Sequence, residues 1–174
     1  MRSKYSKFNM MFILSIFFYG CEDSKDENSD ELDLGLISIT TGNVNVSDFY
    51  FNLINGEEVQ SSEIWSVAVK TEGDYDMPSI FFEDNLNVAI YDNIIFDNIE
   101  TLPTTFTDHL ETNHSVFRYQ GSYEILGYNM QIHKVGVTNP NYTYVIQHSE
   151  LNKAFKVQFV EYLSGITVFN YSEI

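Results

Sequence analysis

Four side chains able to hold a metal ion, His109, His114, Met130 and His133, fall between positions 109 and 133. Imidazole and thioether are both competent iron ligands, and the choice between them shifts the iron's potential. His148 and Met77 lie outside this stretch. The bland readings stand beside the chemical one. His109 and His114 sit in a polar stretch, where a histidine is commonly just solvated. His133 alternates with Met130 and Ile132 in an expected strand over 130–135, which also suits a strand-edge residue. Other chemistry finds little support. The chain has no Gly-x-Ser-x-Gly elbow, no His-Glu-x-x-His and no phosphate-cradling glycine loop. Carboxylates are so numerous that a pair such as Asp84 and Asp92, or Asp108 and Glu111, does not mark an acid and a base. The chain is therefore read as a binding protein, not an enzyme.

The remaining reactive group is the only cysteine, Cys21. Basic residues (Arg2, Lys4, Lys7) and an apolar run from Met10 to Tyr19 precede it. A basic head followed by a short apolar core is the pattern of a secretory signal, and the run is too short to span a bilayer. Gly20-Cys21 at its end resembles the lipobox of bacterial lipoproteins, in which the cysteine becomes the lipidated first residue. Phe18 stands there where leucine is usual. Residues 1–20 are expected to be the signal peptide and Cys21 the lipidation site. Residues 21–33 then form a disordered acidic tether, because 22–33 hold seven acids, one lysine and no aromatic residue. Fully extended at ~3.4 Å per residue, it reaches roughly 40 Å. The acidic tract resembles the surface-export tether of Bacteroidetes lipoproteins, which implies an outer-membrane, surface-exposed location.

Without the leader, six basic side chains stand against twenty-five acidic ones, a net charge of −19. Such a chain repels nucleic acid and anionic membrane surfaces, so the anchor must be lipid. With Cys21 acylated no thiol remains, which excludes a disulfide, a thiolate zinc site and a thiol nucleophile. Packing alone must hold the fold.

From residue 34 onward the pattern is strand after strand, and the 14 Phe and 12 Tyr suit pleated, half-buried surfaces. Strands are expected at 34–39, 49–53, 64–69, 80–82, 88–91, 116–119, 122–126, 130–135, 142–147, 155–162 and 166–171. Ile94 to Ile99 reads as either a strand or one helical turn. Asn55-Gly56 is expected to be a tight hairpin turn with both residues at positive φ. Val59 and Ile64 to Val69 then form its returning strand, with Trp65, Val67 and Val69 buried on one face. Short strands at this spacing point to an all-β, single domain over 34–174, of mostly antiparallel strands in a curled sheet or sandwich.

In order along the chain, Phe49 to Val59 resembles the opening hairpin of the HmuY-type haem-binding lipoproteins of Bacteroidetes. Trp65 to Val69 resembles that family's Trp-Asp-aliphatic-Ala-Phe strand, with Ser66 in place of Asp and Val69 in place of Phe. Tyr144 to Ser149 and Phe155 to Phe159 resemble its Tyr-Val-Ile-Arg-Thr hairpin and return, and Tyr162 to Tyr171 its closing strand. The resemblance spans about 46–174. It implies a surface lipoprotein that captures haem and passes it to an outer-membrane receptor. Haem held in that way needs two axial His or Met donors from facing elements, and residues 109–133 match the family's pocket region. The first choice is His114 with His133, Met130 is the substitute, and His109 is the other loop donor. A strand-borne His133 or Met130 would hold one side and a loop histidine would close the other. His148 falls at a hairpin tip in the best-matching segment and is set aside. The altered signature and the short middle segment keep a second reading open: a non-haem module of the same fold that binds a protein or glycan partner.

Overall fold

The protein is described by a computed structural model covering residues 35–73, 75–106 and 125–174. The leader, Cys21, the acidic tether, His109, His114 and the expected strand at 116–119 lie outside the described residues, as does most of 122–126. The described chain is all-β. Its strands are β1 (Ile37–Thr40), β2 (Phe49–Asn52), β3 (Glu57–Val59), β4 (Val67–Glu72), β5 (Met77–Phe82) and β6 (Asn87–Tyr91). They continue with β7 (Leu126–Asn129), β8 (Lys134–Val137), β9 (Thr143–His148), β10 (Lys153–Leu163) and β11 (Ile166–Glu173). Two 3-10 turns, Phe96–Asn98 and Ser149–Leu151, are the helical elements among the described residues. The first of them settles the ambiguous segment 94–99 as one helical turn.

Three antiparallel sheets result. A five-stranded sheet runs β1-β11-β10-β9-β6, a four-stranded sheet runs β3-β2-β4-β5, and β7-β8 is a separate hairpin. The two larger sheets bury their aromatic faces against each other. Phe51 on β2 packs edge-on against Phe169 and Tyr171 of β11, at 5.6 Å from each ring. Phe82 on β5 lies 5.8 Å from Tyr144 of β9 and 6.3 Å from Phe159 of β10. These separations fall in the favourable range for aromatic pairs. Burying each such ring contributes about 1.5–3 kcal/mol, which is how a chain without disulfides holds two sheets together.

Four sequence expectations are corrected here. First, the strand after Val59 does not continue into 64–69. β3 and β4 lie on opposite sides of β2, in register with Tyr50 at Val59 and at Ala68. Second, Trp65 precedes β4 and does not share the face of Val67 and Val69. It packs edge-on at 5.5 Å against Tyr50, the residue paired with Ala68, and is only half-buried. The period-2 alternation fails because Ser66 sits at the ladder's end, its N–H donating to the Phe51 carbonyl at 2.8 Å.

Third, the β2–β3 connection is a four-residue loop over 53–56 in which only Gly56 has positive φ (70°). Asn52 organises it by accepting from the N–H of Ile54 through its side chain and of Gly56 through its carbonyl. The tight two-residue turn with both φ positive is instead Ser164-Gly165, at 51° and 94°, between the paired Leu163 and Ile166. Fourth, 130–135 is not a strand. Residues 130–133 are the loop joining β7 to β8, and the strand begins at Lys134. Asn129 turns the chain there, its side-chain oxygen accepting from the N–H groups of Gln131 and Ile132.

Candidate functional site

Of the four expected donors, the structure describes two, Met130 and His133, and both sit on the β7–β8 loop. Met130 is 76 % exposed and its neighbour Ile132 is 61 % exposed. His133 is exposed and has a left-handed backbone, φ 52°. Its ring is fixed from one side: Nδ1 lies 2.8 Å from the Tyr128 hydroxyl, and the two rings are 6.1 Å apart. The bond runs from the phenol O–H to Nδ1 or from Nδ1–H to the phenol oxygen, according to the tautomer, and Nε2 carries the lone pair in the second arrangement. A metal-binding histidine is held in this way when its other nitrogen is engaged. His133 is therefore loop-borne, not strand-borne.

Tyr128 also lines a trough of about 520 Å³ beside the hairpin. Ile132, Val135, Val137, Tyr162 and Leu163 supply its apolar walls, and Lys134 adds an ammonium. Such a volume is within the ~300–1,000 Å³ range of small-molecule sites. His133 does not line the trough; it is linked to it through Tyr128, and the lining combines apolar side chains with one ammonium and the polar Asn129 and Thr138. The facing donor expected from His109 or His114 falls outside the described residues. Among the described residues no three His, Cys, Asp or Glu side chains gather as a metal site; an axial haem ligand requires no such group.

His148 is the histidine that sequence reasoning placed least well. It ends β9 and is 6 % exposed. Its Nε2 lies 3.0 Å from Ser66 Oγ, and its ring meets Phe155 edge-on at 6.2 Å. Burial pushes its pKa below the usual histidine value. The ring is then neutral and shares a hydrogen bond with Ser66 Oγ, which also accepts from the Leu53 N–H at 3.2 Å. A serine–histidine contact is the geometry of an activated nucleophile, but Ser66 has no exposed surface, so no substrate reaches it in this conformation. Nothing local in the sequence announces this pair, because its members belong to different sheets.

A second recess lies at the start of β4. Trp65, Lys70, Glu72, Phe81, Asp84 and Asn85 border a trough of about 560 Å³. Phe81 is 5 % exposed, and the Lys70 ammonium sits 4.2 Å above its ring. Glu83 also lines the trough, and its Oε2 is buried without a hydrogen-bond partner among the described residues. Burial, reinforced by the neighbouring Asp84 charge, raises the pKa of Glu83. The sequence signal that could have found this recess is the cluster of polar residues Glu83, Asp84 and Asn85 at the turn after β5, close to the strand that follows the single tryptophan.

No family model, curated protein or solved structure matches this chain.

Proposed function

We propose that the protein is a lipid-anchored capture protein of the bacterial outer membrane that takes up haem and passes it to an outer-membrane receptor. The observation that carries this reading is the Tyr128–His133 pair: an exposed imidazole with one nitrogen engaged by a tyrosine that lines a trough of mixed lining with a single lysine. Haem iron offers open axial positions that imidazole or thioether can fill. Tyr128 holds the His133 ring through Nδ1, and haem binding would select the tautomer in which Nε2 carries the lone pair. Val135, Val137 and Tyr162 offer apolar surface along the trough. Lys134 balances a carboxylate at its edge. Met130 is a second soft donor on the same loop, and His114 or His109, outside the described residues, is the proposed second ligand. An exposed loop suits a protein that must also release its cargo. Cys21 carries the lipid, and residues 21–33 give the domain reach from the membrane.

The test is a visible-spectrum titration of the full-length protein with haemin. The expected result is a saturable, sharpened Soret band at micromolar haemin. No saturable change at that concentration overturns haem capture. A second reading, a non-haem module that recognises a glycan or protein partner, draws on a different observation, the Trp65 recess.

A further inference from the structure

We infer that the Trp65 recess is a binding site for neutral oligosaccharide. The inference deepens the non-haem reading and does not depend on the hairpin that carries the haem proposal.

The recess combines two features that sugar recognition needs together. One is an aromatic platform. Trp65 is held at 5.5 Å and 67° by the edge of Tyr50, whose hydroxyl reaches Asp48 at 3.4 Å. The indole therefore keeps a set orientation while remaining partly open to solvent. A half-buried indole offers an apolar face to the C–H face of a pyranose ring. The other feature is a ring of side chains for hydroxyl groups. Lys70 and Glu72 on β4, and Asp84 and Asn85 on the turn between β5 and β6, border the same trough. Lys70 is fixed over Phe81 at 4.2 Å, so its ammonium is placed without the full entropy cost of ordering a free lysine.

Charge chooses among occupants. One cation stands against three carboxylates (Glu72, Glu83, Asp84) along the trough, and the mature chain carries −19. Phosphorylated, sulfated and uronic acid ligands are repelled. Glu72 and Asp84 offer carboxylate acceptors, and Asn85 an amide, to sugar hydroxyls along the trough's border. An apolar peptide would leave these groups without partners from the ligand. A trough of about 560 Å³ accommodates a short run of sugar rings, within the ~300–1,000 Å³ range of ligand sites.

The single tryptophan makes the experiment direct. Full-length protein, in a detergent without a sugar headgroup, is titrated with laminarihexaose, mannohexaose and chitohexaose while Trp65 emission is recorded. An alginate hexamer and polylysine serve as charged comparisons. The expected result is a saturable change in emission with at least one neutral hexamer, and a response to alginate at least tenfold weaker. Asn85→Ala, on the exposed turn, should weaken the same binding about tenfold while leaving the melting curve in place. Calorimetry on Trp65→Phe should show weakened binding without relying on fluorescence. No emission change with any neutral hexamer at millimolar concentration overturns the inference. So does a response to alginate or polylysine that equals or exceeds the response to the sugars. Haemin titration follows a different signal at the other trough, so failure of one proposal leaves the other standing.

Discussion

Ser66 and His148, 82 positions apart, meet at 3.0 Å where the two sheets close on each other. Ser66 leads into β4 of the four-stranded sheet, and His148 ends β9 of the five-stranded one. The Leu53 N–H donates to the same serine oxygen, so one hydroxyl links the β2–β3 loop, the start of β4 and the end of β9. Ser66→Ala leaves a buried amide and a buried imidazole nitrogen without partners, which costs about 1–3 kcal/mol. Urea unfolding of wild type and variant checks this; an unchanged midpoint would sink it.

The same pair sets a pH dependence. Burial lowers the His148 pKa in the folded state below its ordinary 6.5. Well above pH 6.5 the ring is neutral in both states and contributes no slope. As pH falls through 6.5 the unfolded chain binds a proton that the folded protein resists, so stability declines. The decline ends once pH passes below the folded-state pKa. Glu83 acts in the opposite sense and at lower pH, because its pKa is raised in the folded state. The expected outcome is a loss of stability between pH 7 and 5.5 that is smaller in His148→Gln, read from urea midpoints across that range.

Gly165 closes the β10–β11 turn at φ 94°, and a Cβ there would collide with the side chains of Asn43 and Asn45. Those asparagines belong to the segment whose Val44 N–H donates to the Gly165 carbonyl at 2.8 Å. Gly165→Ala should therefore cost the ~1–2 kcal/mol of a left-handed residue and, as the exposed Asn43 and Asn45 side-chain ends swing aside, the bond from the Asn45 N–H to Asn43 Oδ1 as well. Gly73→Ala has a positive φ but nothing within 4 Å of the added carbon, so it should lose only the backbone term. Equal losses in the two variants would contradict the collision.

Trp65 and Phe82 separate the two roles of aromatic residues in this fold. Phe82 is 1 % exposed and touches Tyr144 and Phe159 across the core. Phe82→Ala should cost about 3–5 kcal/mol. Trp65→Ala should cost clearly less, because the indole lies half-exposed on the other face of the sheet. Thermal melts of both variants decide it, and a Trp65→Ala loss as large as that of Phe82→Ala would place the indole in the core.

For the haem proposal, His133→Ala should weaken haemin binding by at least tenfold and broaden the Soret band. Tyr128→Phe keeps the ring but removes the 2.8 Å bond to Nδ1, and should show an intermediate effect. His114→Ala tests the opposite donor by the same spectrum. Unchanged spectra in both His133→Ala and Tyr128→Phe would remove the hairpin from the site.

The anchor has its own test. Cys21→Ala should release the protein from the membrane fraction, since only a cysteine at the mature N-terminus carries the thioether lipid. Retention of the variant on membranes in high salt would refute lipidation at that residue.

The all-β class was legible because it rests on local signals. Alternating aromatic and aliphatic residues mark strands one at a time, and β2, β5, β6, β9, β10 and β11 lie within a few residues of where those patterns place them. Turn chemistry was legible only in kind. Asn55-Gly56 and Ser164-Gly165 look alike as short polar pairs, yet only the second has both residues at positive φ. Strand pairing on either side decides how many residues each loop must contain, and that is not a property of the dipeptide.

Position relative to the core was decided by tertiary structure. Trp65 follows the alternation of β4 on paper, but Ser66 ends the ladder and turns toward His148, so the indole joins Tyr50 on the outer face. His148 looks like a solvated tip residue until β4 is brought beside it. His133 looks like part of a strand until Asn129 turns the chain before it. In each case a short-range pattern names the residue type, and a partner far along the chain or across a turn decides where its side chain points. The sequence alone thus determined the charge and the β class, because these depend on composition and on neighbouring residues. The two troughs and the Ser66–His148 contact arise only when separate strands are packed together, because burial and hydrogen bonding belong to the assembled sheets.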